Sequence, residues 1–186
     1  MELFRVFAWD RKSLLNEKGG PFFVPRAQQG SGRHDIPELD GVLYVSLSPV
    51  GAVAETLQGF RMQLLTEANF KKPDEKILAI ANFELSDSID LVDLDNPSTL
   101  TKFNLRPSVI ATRLRSMTRP IAAKIFDEGH AGLLWPSSLE STWINATLFE
   151  SRIKTHIKLK TEPLPVSIYD EFVREACSIL GIYIER

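Results

Sequence analysis

Arg33 closes the stretch Gly30-Ser31-Gly32-Arg33, Tyr44 and Ser46 sit in Val42-Leu43-Tyr44-Val45-Ser46-Leu47, and Glu55 lies in Gly51-Ala52-Val53-Ala54-Glu55. A fixed cation, an aromatic ring, a hydroxyl and a carboxylate thus follow one another on three successive stretches. Together they are the groups needed to hold an anionic dinucleotide and polarise a sugar bond. A guanidinium is always charged, and its fork of donors matches phosphate oxygens in pairs. Breaking a bond to the anomeric carbon builds positive charge on the sugar, so a nearby carboxylate stabilises the transition state more than the ground state. Taken singly, Arg33 reads as a solvated loop charge, Tyr44 as a half-buried ring and Glu55 as part of a wet helix face. The grouping is what points to chemistry.

The elements that must position these residues are legible nearby. Leu43, Val45 and Leu47 alternate with Tyr44 and Ser46, so a strand there turns its aliphatic set to a core and Tyr44 with Ser46 to the other face. Ser48-Pro49 reads as an N-cap and first helical position, opening an Ala-rich helix to about residue 65 with Glu55 in its second turn. Gly30 and Gly32 permit backbone shapes closed to other residues, which lets the loop pass close to a ligand while Arg33 reaches forward.

In this order the residues resemble the RES domain family, named for an arginine, a glutamate and a serine. Its pattern runs Gly-Arg, a strand Tyr, Gly-Ala-x-x-Glu and a distant Pro-Ser, here Gly32-Arg33, Tyr44, Gly51 to Glu55 and Pro136-Ser137, followed by Asn145 to Phe149. The resemblance spans residues 4–150. Two departures stand out: His34-Asp35 follows Gly-Arg where the family often has an aromatic and then a polar residue, and Phe149-Glu150 stands where many members have Asn-Pro or Asp-Pro. The resemblance implies an α+β fold of ADP-ribosyltransferase-like type, with mixed and antiparallel sheets and flanking helices. It implies NAD as substrate rather than cofactor, consumed by glycohydrolysis or phosphorolysis of the nicotinamide–ribose bond, or used to ADP-ribosylate a protein. It also implies a toxin restrained by a helix-turn-helix antitoxin whose tail covers the cleft. Carried over residue by residue, Glu55, Arg33 and Tyr44 are the catalytic candidates, and Ser137, Ser46, Asn145 and again Arg33 the substrate-binding ones. Ser137 reads otherwise as a turn hydroxyl and Asn145 as a residue fixing a strand end. A non-catalytic module holding a nucleotide or peptide in the same cleft is the alternative from another class.

Composition bounds the rest. With 186 residues, 44% hydrophobic and 25% charged, the chain matches one globular domain, residues 1–186. A formal net charge of -2 argues against bulk nucleic acid as a partner, and the basic stretch at residues 154–160 does not reverse this. No apolar run is long enough to span a bilayer and the N-terminus lacks a secretory apolar core, so a cytoplasmic protein is expected. Cys177 alone permits no internal disulfide and reads as helix core. His34, His130 and His156 lack ligand spacing, and the run Asp87, Asp90, Asp93, Asp95 lacks the glycine and glutamate of a calcium loop, so no metal site is expected. There is also no Gly-rich dinucleotide or Walker signature.

Strands are predicted at residues 3–8, 76–84, 89–94, 133–135 and 143–149. A further strand is predicted at 153–160, where Ile153, Thr155, Ile157 and Leu159 alternate with polar residues. Residues 12–29 read as an irregular connection, and Asn96-Pro97 as a turn. A helix is predicted at 107–118 with Val109, Ile110, Leu114 and Met117 inward, and Pro120 restarts another that ends at Gly129. The basic set Arg113, Arg115 and Arg119 is read as solvated surface, with phosphate contact the lesser reading. A last amphipathic helix spans 167–180 with Phe172, Val173, Ala176 and Leu180 inward, stopped by Gly181.

Overall fold

The computed structural model describes residues 1–185, an α+β protein whose strands are mostly antiparallel. In chain order its elements are β1 (Glu2–Trp9), β2 (Val42–Ser46), α1 (Pro49–Leu57), β3 (Leu64–Leu65), β4 (Ile77–Leu85), β5 (Leu91–Asp93), α2 (Pro97–Phe103), α3 (Pro107–Ala111), α4 (Arg115–Asp127), β6 (Gly132–Pro136), β7 (Ile144–Phe149), α5 (Glu150–Ile153), β8 (Ile157–Leu159), β9 (Leu164–Pro165), α6 (Glu171–Leu180) and β10 (Tyr183–Ile184). The chain divides into two compact units. One comprises Met1, Val24–Val45 and Leu85–Lys158; the other comprises Glu2–Phe23, Ser46–Glu84 and residues 159 onward. No helix among the described residues is long and apolar enough to cross a membrane.

In the first unit β5 runs parallel to β6, β6 is antiparallel to β7, and β7 lies beside β2. Helix α4 buries Thr118, Ile121, Ala122 and Ile125, the one-face spacing of an amphipathic helix. That face meets a core that includes Ile36, Val42, Leu94, Phe103, Leu133, Trp135 and Phe149. Each fully buried aliphatic or aromatic side chain there contributes about 1.5–3 kcal/mol, so the strands carrying the candidate residues are firmly anchored.

In the second unit β1 pairs antiparallel with β4 from Glu2↔Glu84 to Trp9↔Ile77, and β9 extends β4. Helix α1 packs against β1 and α6 through Ala52, Val53, Ala54 and Leu57. Ser48 is its N-cap, accepting from the Gly51 amide, with Pro49 at the first position as the sequence requires.

Several local expectations are corrected. Helix α1 ends at Leu57, not near 65, because the chain turns through Met62 at φ 60° and Leu64 and Leu65 pair with Tyr183 and Ile184. Asn96-Pro97 opens a helix, since the Asn96 side chain accepts from Ser98 N and caps it. The helical break falls at residues 112–114, where Thr112 and Leu114 are extended, and Pro120 lies inside α4. Leu114 and Met117 are exposed rather than inward. The alternating run 153–160 yields only β8, because Asp40 accepts from Ser151 N at 2.9 Å and from its hydroxyl at 2.7 Å, anchoring the helical turn α5 just before it. Helix α6 begins at Glu171 rather than 167, buries Val173, Ala176, Cys177 and Leu180, and leaves Phe172 only half-buried.

Candidate active site

The Gly30–Arg33 loop is wrapped around one carboxylate. Asp35 Oδ2 accepts from Gly30 N at 2.7 Å and Gly32 N at 2.6 Å, and its Oδ1 accepts from the Tyr44 hydroxyl at 2.8 Å. That hydroxyl in turn accepts from His34 N at 2.8 Å. The glycines are required by geometry. Gly30 has φ +139°, and a Cβ on Gly32 would stand 2.4 Å from Asp35 Oδ1 and 2.6 Å from the Tyr44 hydroxyl. Burial, and then the charge of Asp35, push the Tyr44 phenol far above its ordinary range. The phenol therefore stays protonated and serves as the donor that locks Asp35.

Arg33 leaves this loop with one guanidinium nitrogen donating to the Ile110 carbonyl at 2.7 Å and its guanidinium carbon over the Trp135 ring, 4.8 Å from the centroid. Its own carbonyl accepts from the Thr118 hydroxyl of α4. His34, buried at 2% exposure, meets the same indole edge-on, with centroids 5.2 Å apart and planes at 77°. Its Nδ1 lies 2.9 Å from Thr147 Oγ1, which also accepts from Trp135 Nε1 at 3.0 Å. Burial, helped by the Arg33 charge, holds His34 down to about 3, so the ring is neutral near pH 7. The histidine thus packs as an aromatic residue would, and its buried ring fixes the chain immediately after Arg33.

The strands that carry Trp135 also carry Asn145 and lead to Ser137. Trp135 is paired with Asn145 across β6 and β7, and Asn145 is buried at 2% exposure. Ser137, two residues beyond Trp135, is 7% exposed; its Oγ accepts from Leu139 N at 3.1 Å and its amide donates to the Trp143 carbonyl at 2.7 Å. Arg33, Tyr44, Ser137 and Asn145 therefore belong to one unit, with Arg33 stacked on the strand pair that holds Asn145.

Glu55 and Ser46 belong to the other unit. Glu55 is half-buried in the second turn of α1, and its carboxylate accepts from Gln58 Nε2 at 3.2 Å. Ser46 is buried, faces Phe4 across the β1–β2 pair, and accepts weakly from Ser48 N at 3.4 Å, so it braces the start of α1. In the same unit Arg5 occupies the inward register of β1 with Leu3, Phe7 and Trp9. It donates to the Pro21 and Phe23 carbonyls at 2.7 and 3.0 Å, and burial lowers it to about 10. A charge on the apolar face of a strand was the sequence signal for this residue.

Other residues missed in the sequence are Asp35, Trp135, Thr118 and Thr147, which set the loop and the stacked guanidinium. The departure His34-Asp35 was visible, but not that both side chains turn inward to build the loop. Among the described residues no group of three or more His, Cys, Asp or Glu side chains could hold a metal ion.

Comparison with known proteins agrees with this architecture. The RES domain model matches residues 3–167. No curated protein matches the chain. Among solved structures, a chain of the M. tuberculosis MbcT–MbcA toxin–antitoxin complex has a TM-score of 0.65 at 17% identity, covering 93% of this chain and 88% of that one, which is a likeness of fold. With the family model spanning nearly the whole sequence and the Gly-Arg loop, strand tyrosine and Pro-Ser all in place, the chain belongs to the RES domain family.

Proposed function

We propose that the protein consumes NAD by breaking the nicotinamide–ribose bond, with water or phosphate as acceptor, and that it acts in the cytoplasm as the toxin of a toxin–antitoxin pair. The observation that carries this reading is the built loop. An entire hydrogen-bonded set, Asp35, Tyr44 and the Gly30 and Gly32 amides, is spent on fixing the segment that ends in Arg33, whose guanidinium is then stacked on Trp135. Such preorganisation suits a ligand whose phosphates must be held in one register. Membership of the RES domain family and the fold shared with a chain of a toxin–antitoxin complex support the same reading.

In this mechanism Arg33 binds the diphosphate, and its delocalised charge serves that purpose whatever other hydrogen bonds it makes. Tyr44 holds the loop through its hydroxyl and offers its ring to the nicotinamide-ribose end. Ser137 and Asn145 contact polar groups of the ligand, and Ser46 braces the helix that carries Glu55. Glu55 is the carboxylate that stabilises the oxocarbenium-like sugar and orients the acceptor. An antitoxin, of helix-turn-helix type by the family likeness, restrains the protein until it is lost.

The test is to incubate the purified protein with NAD, with and without inorganic phosphate, and separate the products. Free nicotinamide with ADP-ribose, or with its phosphate ester when phosphate is present, is the expected outcome. Stabilisation by NAD with no nicotinamide released would instead establish a binding module. ADP-ribose mass appearing on a protein would establish a transferase.

A further inference from the structure

We infer that Arg119, assisted by Arg115, forms a phosphoryl-binding site against the Gly30–Arg33 loop and so supplies a second cation beside Arg33; this rests on the NAD reading above. Arg115 and Arg119 stand four residues apart on α4 and therefore share a face. The sequence alone read that face first as solvated surface and only second as a phosphate contact. The structure turns it to the loop: Arg115 Nε donates to the Ser31 carbonyl at 3.0 Å, and an Arg119 terminal nitrogen lies 4.0 Å from where a Cβ of Gly30 would stand. The charge of Arg119 also reaches the Tyr44 hydroxyl.

Two facts point to an anion. The Nε of Arg119 is buried and has no hydrogen-bond partner, and no carboxylate pairs with Arg119 among the described residues. A buried donor left unmade is costly unless a ligand satisfies it. The carboxylate at the loop, Asp35, is already engaged by two amides and the Tyr44 hydroxyl. This engagement also decides how an anion would be held. Gly30 N and Gly32 N, the amides a Gly-rich loop would otherwise present to phosphate, are taken, so recognition falls to guanidinium groups, whose planar fork suits phosphoryl oxygens. The phosphoryl group can come from the diphosphate of the dinucleotide or from inorganic phosphate serving as acceptor.

Isothermal titration calorimetry at low ionic strength, using ADP, inorganic phosphate and adenosine as probes, tests the site in the wild type, Arg119→Gln and Arg119→Lys. Arg119→Gln should weaken ADP binding at least tenfold, Arg119→Lys should recover part of it, and adenosine binding should not change. A loss confined to inorganic phosphate would keep the site and assign it to the acceptor. ADP and phosphate binding Arg119→Gln as tightly as wild type, or neither binding wild type, would overturn the inference. Arg119 is half-exposed on a helix, so Gln should fold, and a melting curve on both variants verifies it. NAD turnover separates the two readings. Nicotinamide release with kcat/KM unchanged in Arg119→Gln both without and with inorganic phosphate would remove the phosphoryl site and leave NAD cleavage standing. Arg119-dependent ADP binding by a wild type that leaves NAD intact would keep the phosphoryl site and remove NAD cleavage.

Discussion

Acid should unlock the Arg33 loop through His34. The perturbation is a fall in pH from 7 to 5, and the group that senses it is an imidazole with 2% exposure, held by burial and by Arg33 from its ordinary 6.5 down to about 3. The unfolded chain takes up this proton near pH 6.5, while the folded protein resists it until about pH 3. The stability that His34 contributes is therefore complete above about pH 6.5 and is lost progressively as the pH falls toward 3. Over the whole window the loss approaches roughly 5 kcal/mol, of which about 2 kcal/mol falls between pH 7 and pH 5, at about 1.4 kcal/mol per tenfold change. Urea unfolding at pH 7, 6 and 5 measures it, with His34→Phe as the reference. Phenylalanine keeps a ring against Trp135 but carries no proton. The substitution changes only the side chain at position 34, so the difference between the two curves isolates His34. The wild type should lose about 2 kcal/mol more than the variant over this range. Parallel curves, or an NMR titration of His34 with its midpoint near 6.5, would mean that His34 does not sense the fall in pH.

Gly32→Ala forces a Cβ to within 2.4 Å of Asp35 Oδ1, and should cost about 1–3 kcal/mol in chemical denaturation together with most NAD turnover; a neutral result would mean the loop yields. Thr147→Val leaves Trp135 Nε1 without its acceptor and His34 Nδ1 without its partner, with an expected loss of about 2 kcal/mol in the same assay. Arg33→Ala should weaken dinucleotide binding by about 2 kcal/mol by calorimetry, and equal affinity in both proteins would count against the diphosphate role.

How much of this was readable in advance depended on the range of the interactions. Ser48-Pro49 announced α1 because capping is decided within four residues, and Gly181 stopped α6 for the same reason, lying at φ +68° as its C-cap. The β2 strand was legible locally but its two-faced pattern was not: Leu43 and Val45 are buried as expected, yet so are Val42 and Ser46, and Leu47 is only half-buried. The errors came where distant partners outweighed local pattern. The run 153–160 alternates like a strand, yet Asp40, 111 residues from Ser151, anchors a helical turn at its start. Pro120 lies inside α4 because that helix begins at Arg115, beyond the Thr112 turn, rather than at the proline. At the site, the types of Arg33 and Tyr44 were legible but their attachments were not. Nothing local tells Tyr44 to donate to Asp35, or a threonine at position 147 to join His34 to Trp135.

Glu55 is proposed to drive NAD cleavage by stabilising positive charge on the ribose. The most direct test of this role is the rate of nicotinamide release by wild type and by Glu55→Gln, which keeps the size of a half-buried helix residue and removes only its charge. Wild type should release nicotinamide while a correctly folded Glu55→Gln releases essentially none. Release at the same rate by both proteins, or by neither, would contradict it.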